Sequence, residues 1–292
     1  MHTILIIGLM IFFLFSGQAC VQLVGAPGKP VTIPGAEISR WGQVAEVPAR
    51  FGLPAGSTPR VPAVLILHGS GGVDGRGAFY AKALQEAGIA TLEITMFAPG
   101  GRPRAGFTAT MPHAAAALKW LAAQPTVDGQ RLGVMGFSWG GGMSVLMSSE
   151  LVQERLGQDV PKPVAFAPFY PVCSLMVRYG ENPQHFYYKV FTRMSAAPAM
   201  LIHVGTRDDY EEGERACDAL VAMWPPAARE HATVRYVEGA THMFDSQKPA
   251  TQFYDEFAHA GRGGMVSAIP SRKAAAEARQ AVVSFFVKHL KP

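Results

Sequence analysis

From Val61 onward, short apolar runs of strand length alternate with stretches of helical periodicity. That alternation confines the chain to an α/β architecture, a mostly parallel central sheet with helices on both faces. Val64-Leu65-Ile66-Leu67 is apolar without a break, as a strand buried on both faces requires. Further strands are predicted over residues 89–97, 132–137, 163–170, 200–204 and 234–237, and Pro168 demands a local irregularity in the third of these. Helices are predicted over 79–87, 112–123, 140–151 and 272–289. In the last of them Ala275, Ala278, Val282 and Phe285 recur at helical spacing. Sites in such sheets form beyond the carboxyl ends of the strands, so chemistry is sought there.

The most specific such strand end is Gly136-Phe137-Ser138-Trp139-Gly140. It reads Gly-x-Ser-x-Gly between a strand-like and a helix-compatible segment, the setting of a nucleophile elbow. The turn holds the serine in a positive-φ conformation, which only small neighbours permit. Serine is a weak nucleophile and needs a base, and the base needs an orienting group. Histidine suits the base, because an imidazole ordinarily titrates near pH 6.5.

Among nine histidines, His242 is the candidate, in Gly239-Ala240-Thr241-His242-Met243-Phe244-Asp245 after the last predicted strand. His2 lies in the leader, His203 mid-strand and His289 in the last helix. His113, His185, His231 and His259 have no recognisable catalytic context. The acid is Asp208 or Asp209, just past the strand ending at Val204. The Gly-x-x-Asp spacing from Gly205 favours Asp208, while either could simply cap a following helix.

Acyl transfer also needs donors for a developing oxyanion. The backbone N–H of Trp139, directly after the serine, is one candidate. The other is Ser70, in the glycine-rich loop His68-Gly69-Ser70-Gly71-Gly72. Ser70 lacks the elbow spacing and is not itself read as the nucleophile. Four weaker residues complete the candidate site. Arg102 and Arg104 follow a strand end and are placed to meet a substrate carboxylate, and Tyr170 and Phe244 are placed as pocket walls. For each of these the plain alternatives are a solvated arginine and a core aromatic.

The chain of 292 residues is 49% hydrophobic and 16% charged, enough for one large domain with a substantial core. The net charge of +4 is mild and no Lys/Arg run occurs, which excludes a nucleic-acid partner. Residues 4–15 are almost wholly apolar and lead into Ser16-Gly17-Gln18-Ala19, with small residues where a signal peptidase reads. The run is shorter than the ~20 residues of a bilayer span. Residues 1–19 are therefore read as a signal peptide, with an N-terminal anchor as the alternative and a lipid on Cys20 as a third. The protein is expected to be exported, periplasmic or secreted. Residues 20–60 are read as an extension with edge strands, one or two of them within 37–48, and 61–292 as the catalytic domain. Export permits disulfides, for which Cys173 and Cys217 are the candidate pair, with two buried thiols as the alternative. No metal-ligand spacing or phosphate-binding glycine pattern occurs, and neither metal nor cofactor is expected.

The chain order Ser138, Asp208, His242 is that of α/β-hydrolases. The quoted elbow, the His68 loop, Phe169-Tyr170-Pro171-Val172-Cys173, the Asp208 and His242 loops and Gly261-Arg262-Gly263-Gly264 together resemble the dienelactone hydrolase family. The resemblance is closest to exported members with a serine nucleophile and spans about 61–290. It implies the α/β-hydrolase fold and hydrolysis of a small-molecule ester or lactone through an acyl-serine. It also favours a Cys173–Cys217 bond. The chain departs from the family in having Ser138 where the best-known members use cysteine. It also has Thr95 where relatives often carry an acid, and a long loop 98–104. These departures put dienelactone itself in doubt as substrate. Two other readings are a small acyl-peptide or amide hydrolase and a catalytically silent binding protein. The second would show a broken triad, which this chain does not.

Overall fold

The computed structural model describes residues 26–56, 60–213 and 215–291; the predicted leader and Cys20 lie outside them. The strands are β1 (Lys29–Ile33), β2 (Ala36–Ile38), β3 (Gly42–Val44), β4 (Val47–Gly52), β5 (Val61–Leu67), β6 (Ala90–Ile94), β7 (Val127–Phe137), β8 (Ala165–Phe169), β9 (Ala199–Gly205), β10 (Ala232–Val237), β11 (Thr251–Asp255) and β12 (Gly264–Ala268). Eight of them form one sheet in the order β1-β4-β6-β5-β7-β8-β9-β10. Only β4 runs against the rest, pairing antiparallel with both β1 and β6.

The sequence places strands within 37–48 at the sheet edge. The structure instead folds β2 and β3 into a separate two-stranded ribbon, and the edge itself is β1. β11 and β12 form a second ribbon, which strand patterning over 250–270 does not announce because its residues are largely exposed or half-buried.

The apolar run in β5 divides by period two. Leu65 and Leu67 pack with the helix Met111–Ala122 on one face. Val64 and Ile66 pack with the helices Arg76–Glu86 and Arg272–Leu290 on the other. Both faces are covered, so no polar alternation appears. Pro168 does interrupt a ladder: β8 pairs with β9 at Ala165, Phe166 and Phe169 only. The predicted helix 140–151 is two helices, Trp139–Met147 and Glu150–Leu156. The Ser149 hydroxyl at the break donates to the carbonyls of Val190 and Arg193, both at 3.0 Å.

Glu93 on β6 is buried and accepts the backbone N–H of Ala26 at 2.7 Å, tying the N-terminal segment to the sheet. Burial pushes its carboxyl up to about 7. The folded state therefore holds a proton that the unfolded state has lost, and stability falls as pH rises between about 4.5 and 7. The shift corresponds to roughly 3 kcal/mol above that window. Glu93→Gln removes this contribution, so its stability relative to wild type should rise between pH 4.5 and 7.5 in urea titrations. A difference that stays flat with pH would contradict the assignment.

Candidate active site

Ser138 sits between β7 and the helix Trp139–Met147 with φ 51° and ψ −106°. A side chain in that region costs about 1–3 kcal/mol and is held there only by its surroundings. The surroundings are tight. A Cβ on Gly136 would lie 2.2 Å from the Gly140 carbonyl oxygen, and one on Gly140 would lie 2.3 Å from that of Leu67. The turn thus folds onto itself and onto the end of β5, and no residue but glycine fits at either place.

Three strand ends converge here. His242, in the loop after β10, brings Nε2 to 3.0 Å from Ser138 Oγ. Its Nδ1 lies 2.8 Å from Asp208 Oδ2, in the loop after β9. Asp208 Oδ1 accepts the Tyr210 N–H at 3.0 Å, so both carboxylate oxygens are engaged. The His242 ring packs against the rings of Tyr210 and Tyr170, with centroids 4.3 and 4.7 Å away. Asp209 faces elsewhere: its Oδ2 accepts the N–H of Ser267 at 2.7 Å and so secures β12. The Asp208 spacing argument and the geometry point to the same residue.

Ser70 and Trp139 both line the cavity that opens over Ser138. The N–H of Trp139 opens its helix and has no intrahelical acceptor, which leaves it available to an incoming oxyanion. The Ser70 loop is braced by His68, whose Nδ1 lies 2.7 Å from the Gly69 carbonyl and whose Nε2 accepts the N–H of Met96 at 2.9 Å. Burial lowers the His68 imidazole to about 4, so it stays neutral and works as a strut between β5 and β6. The Trp139 indole N–H donates to Thr110 Oγ1 at 2.9 Å, which fixes the side chain against Phe107.

Two of the predicted pocket walls are corrected. Tyr170 and Phe244 are both fully buried and do not line the cavity. Phe244 packs in the core against Tyr170 and Phe169. Tyr170 belongs to a buried polar chain behind the loops. Arg76, itself 2% exposed, holds Asp74 in a two-pronged pair, with Nη2 2.7 Å and Nε 2.9 Å from its oxygens. Arg76 Nη1 also donates to the Tyr170 hydroxyl at 2.7 Å. That hydroxyl donates to Asp245 Oδ1 at 2.6 Å, and Tyr80 donates to Asp245 Oδ2 at 2.9 Å. Asp245 lies three residues after His242, so the chain runs from the Gly69 side of the site to the His242 loop. Its aromatic members resemble pocket residues in sequence because they are aromatics at strand ends; only burial tells them apart.

Arg102 and Arg104 do line the cavity. Arg102 is committed, however, to Asp255 at 3.0 Å and Glu256 at 3.2 Å, with its guanidinium over the Phe257 ring. Arg104 is exposed and makes no ion pair among the described residues. Sequence reasoning missed Leu175, Tyr179, His185, Tyr187 and Tyr210, all on the cavity wall. The signal available was the aromatic cluster around His185-Phe186-Tyr187-Tyr188, between two predicted strands.

Cys173 and Cys217 are bonded to each other, joining the helix Cys173–Gly180 to the helix Ala216–Ala222. Glu211 caps the first of these, accepting the N–H groups of Cys173 at 2.7 Å and Ser174 at 2.6 Å. Burial, together with the nearby Asp208 charge, raises its carboxyl above the usual carboxylate range. One wall of the cavity is thereby anchored to the Asp208 loop. Among the described residues no helix is long and apolar enough to cross a membrane.

No curated protein matches the sequence. Among solved structures, Thermogutta terrifontis esterase 2 phosphorylated by paraoxon superposes with a TM-score of 0.63 at 18% identity, covering 89% of this chain and 97% of that one. A putative dienelactone hydrolase from Klebsiella pneumoniae gives 0.63 at 15% identity over 89% and 98% of the two chains. Est1E from Butyrivibrio proteoclasticus gives 0.60 at 14% identity over 90% and 99%. At such identities the likeness is one of fold, and it is the α/β-hydrolase fold. The sequence itself matches the family model described as dienelactone hydrolase family over residues 47–290. On that match, with β4 already inside the matched region and the candidate site within it, the chain belongs to the dienelactone hydrolase family and is a carboxylic-ester hydrolase.

Proposed function

We propose that this protein is an exported serine hydrolase that cleaves small carboxylic esters or lactones through an acyl-serine. The observation that carries the reading is the unbroken contact from Ser138 Oγ through His242 to Asp208 at the floor of an open cavity. Ser138 Oγ attacks the ester carbonyl while His242 Nε2 takes its proton. The carbonyl oxygen becomes an oxyanion and accepts from the N–H groups of Ser70 and Trp139. As the tetrahedral species collapses, the bond to the alcohol oxygen breaks and His242 returns the proton to it. Water then attacks the acyl-serine with His242 again as base, which frees the acid and restores Ser138. Asp208 holds the imidazole in the tautomer that presents a bare Nε2 to the serine. Export rests on the leader read in residues 1–19.

A fluorophosphonate probe tests this directly. The wild-type protein should be labelled once, on the peptide that contains Ser138, and Ser138→Ala should not be labelled. Labelling that survives in Ser138→Ala would overturn the reading.

A further inference from the structure

We propose that the cavity over Ser138 is a slot for a single aromatic ring, so that the esters taken by this site carry a monocyclic aryl group. The inference rests on the serine-esterase reading and goes further in naming the substrate class. The cavity measures about 330 Å³, at the small end of the range for small-molecule sites. That is room for one ring with its ester, and a long acyl chain would run out into solvent.

Much of its wall is aromatic and held in place before any ligand arrives. Trp139 is pinned by Thr110 and meets Phe107 edge-on, with centroids 5.0 Å apart. Tyr179 and His185, also on the wall, stack at 4.9 Å with planes 15° apart. Tyr187 stands edge-on to His185 at 5.0 Å. The backbone N–H of Tyr187 donates to His185 Nδ1 at 3.1 Å, which fixes that ring at the start of the helix Phe186–Phe191. Tyr179 remains 39% exposed on the wall of the cavity. Aromatic rings gain from offset or edge-to-face contact beyond the area they bury. Because these side chains are already ordered, a ring entering the cavity has little side-chain freedom left to freeze. A saturated ring of the same size buries similar area but has no π-face to offer.

Matched pairs isolate that difference once each kcat/KM is divided by the same ester's hydroxide-catalysed rate constant, because a phenyl group also activates the carbonyl inductively, and the ratios below are these normalised ones. One pair, methyl phenylacetate and methyl cyclohexylacetate, places the ring on the acyl side. The other, benzyl butyrate and cyclohexylmethyl butyrate, places it on the alcohol side. The aromatic member should have the higher kcat/KM, by about tenfold, in at least one pair, a factor that corresponds to about 1.4 kcal/mol. In the double variant Tyr179→Leu, Tyr187→Leu the ratio should fall toward one, with fluorophosphonate labelling confirming that the protein is folded. A wild-type ratio of one or less in both pairs overturns the slot but leaves the esterase reading intact. A ratio unchanged in the double variant also overturns it. A protein that neither hydrolyses the panel nor takes the probe overturns the esterase reading instead. In that case calorimetric titration of the Ser138→Ala protein with phenylacetate and cyclohexylacetate decides the slot. Tighter binding of phenylacetate supports it, and equal binding or none overturns it.

Discussion

Ser138→Ala should lower kcat on a good ester by on the order of 10⁶ while leaving the fold in place. In the proposed reaction the Ser138 hydroxyl forms the acyl bond, and its removal also strips His242 Nε2 of its partner at 3.0 Å. The donors at Ser70 and Trp139 remain, so a small rate above the uncatalysed one should persist. Alanine is as strained as serine at φ 51°, so the change in unfolding free energy should stay within about 1 kcal/mol. Burst and steady-state kinetics, run beside a thermal melt, check both halves. Turnover near wild type would move the nucleophile elsewhere. The same assay separates the neighbouring acids. Asp208→Asn should lose about 10⁴ in kcat, because the imidazole then settles in the wrong tautomer. Asp209→Asn should lose little, because its carboxylate holds the backbone of Ser267 and not the base.

Arg76→Met should destabilise the protein by about 3–5 kcal/mol, among the largest effects open to a single substitution away from the serine. The guanidinium is buried between Asp74 and Tyr170, and Asp245 lies one hydrogen bond further on. Removing it strands the Asp74 carboxylate and leaves the Tyr170 hydroxyl without its donor. Arg76→Lys should recover only part of the loss. An ammonium cannot grip both oxygens of Asp74 and still reach the tyrosine in one plane. Urea titrations of the three proteins measure this. A loss for Arg76→Met below about 1 kcal/mol would mean that the pair is solvated and not buried.

Most strands of the sheet were legible because β5, the second half of β7, β8 and β9 carry continuous or near-continuous apolar runs, which a doubly covered sheet imposes, while β10 at the sheet edge alternates Val234 and Tyr236 with exposed Thr233 and Arg235. The candidate nucleophile, base and acid were legible because each follows such a run at a turn with small residues, and geometry then separated Asp208 from Asp209. What the sequence could not convey was depth. Tyr170 and Phe244 share their chemistry with Tyr187 and Phe107, yet the first two are core and the last two face the cavity. The cavity walls come from helices whose aromatics pack against one another across turns, and no spacing rule reports such contacts. Arg76 was illegible for a related reason. A lone arginine in a helix reads as surface until Asp74, Tyr170 and Asp245, from three separate segments, are seen to enclose it.

The origin of the cavity walls has a practical consequence. The serine, histidine and acid are fixed by strand ends so crowded that Gly136 and Gly140 admit no side chain. Phe107 and the Tyr179–Tyr187 wall instead come from the connections after β6 and β8. On the proposed reading, bond-breaking and substrate choice are thus written in different stretches of chain. A library confined to residues 98–110 and 175–191 should yield enzymes of altered appetite and intact chemistry, whereas variation at 136–140 should yield mostly dead protein.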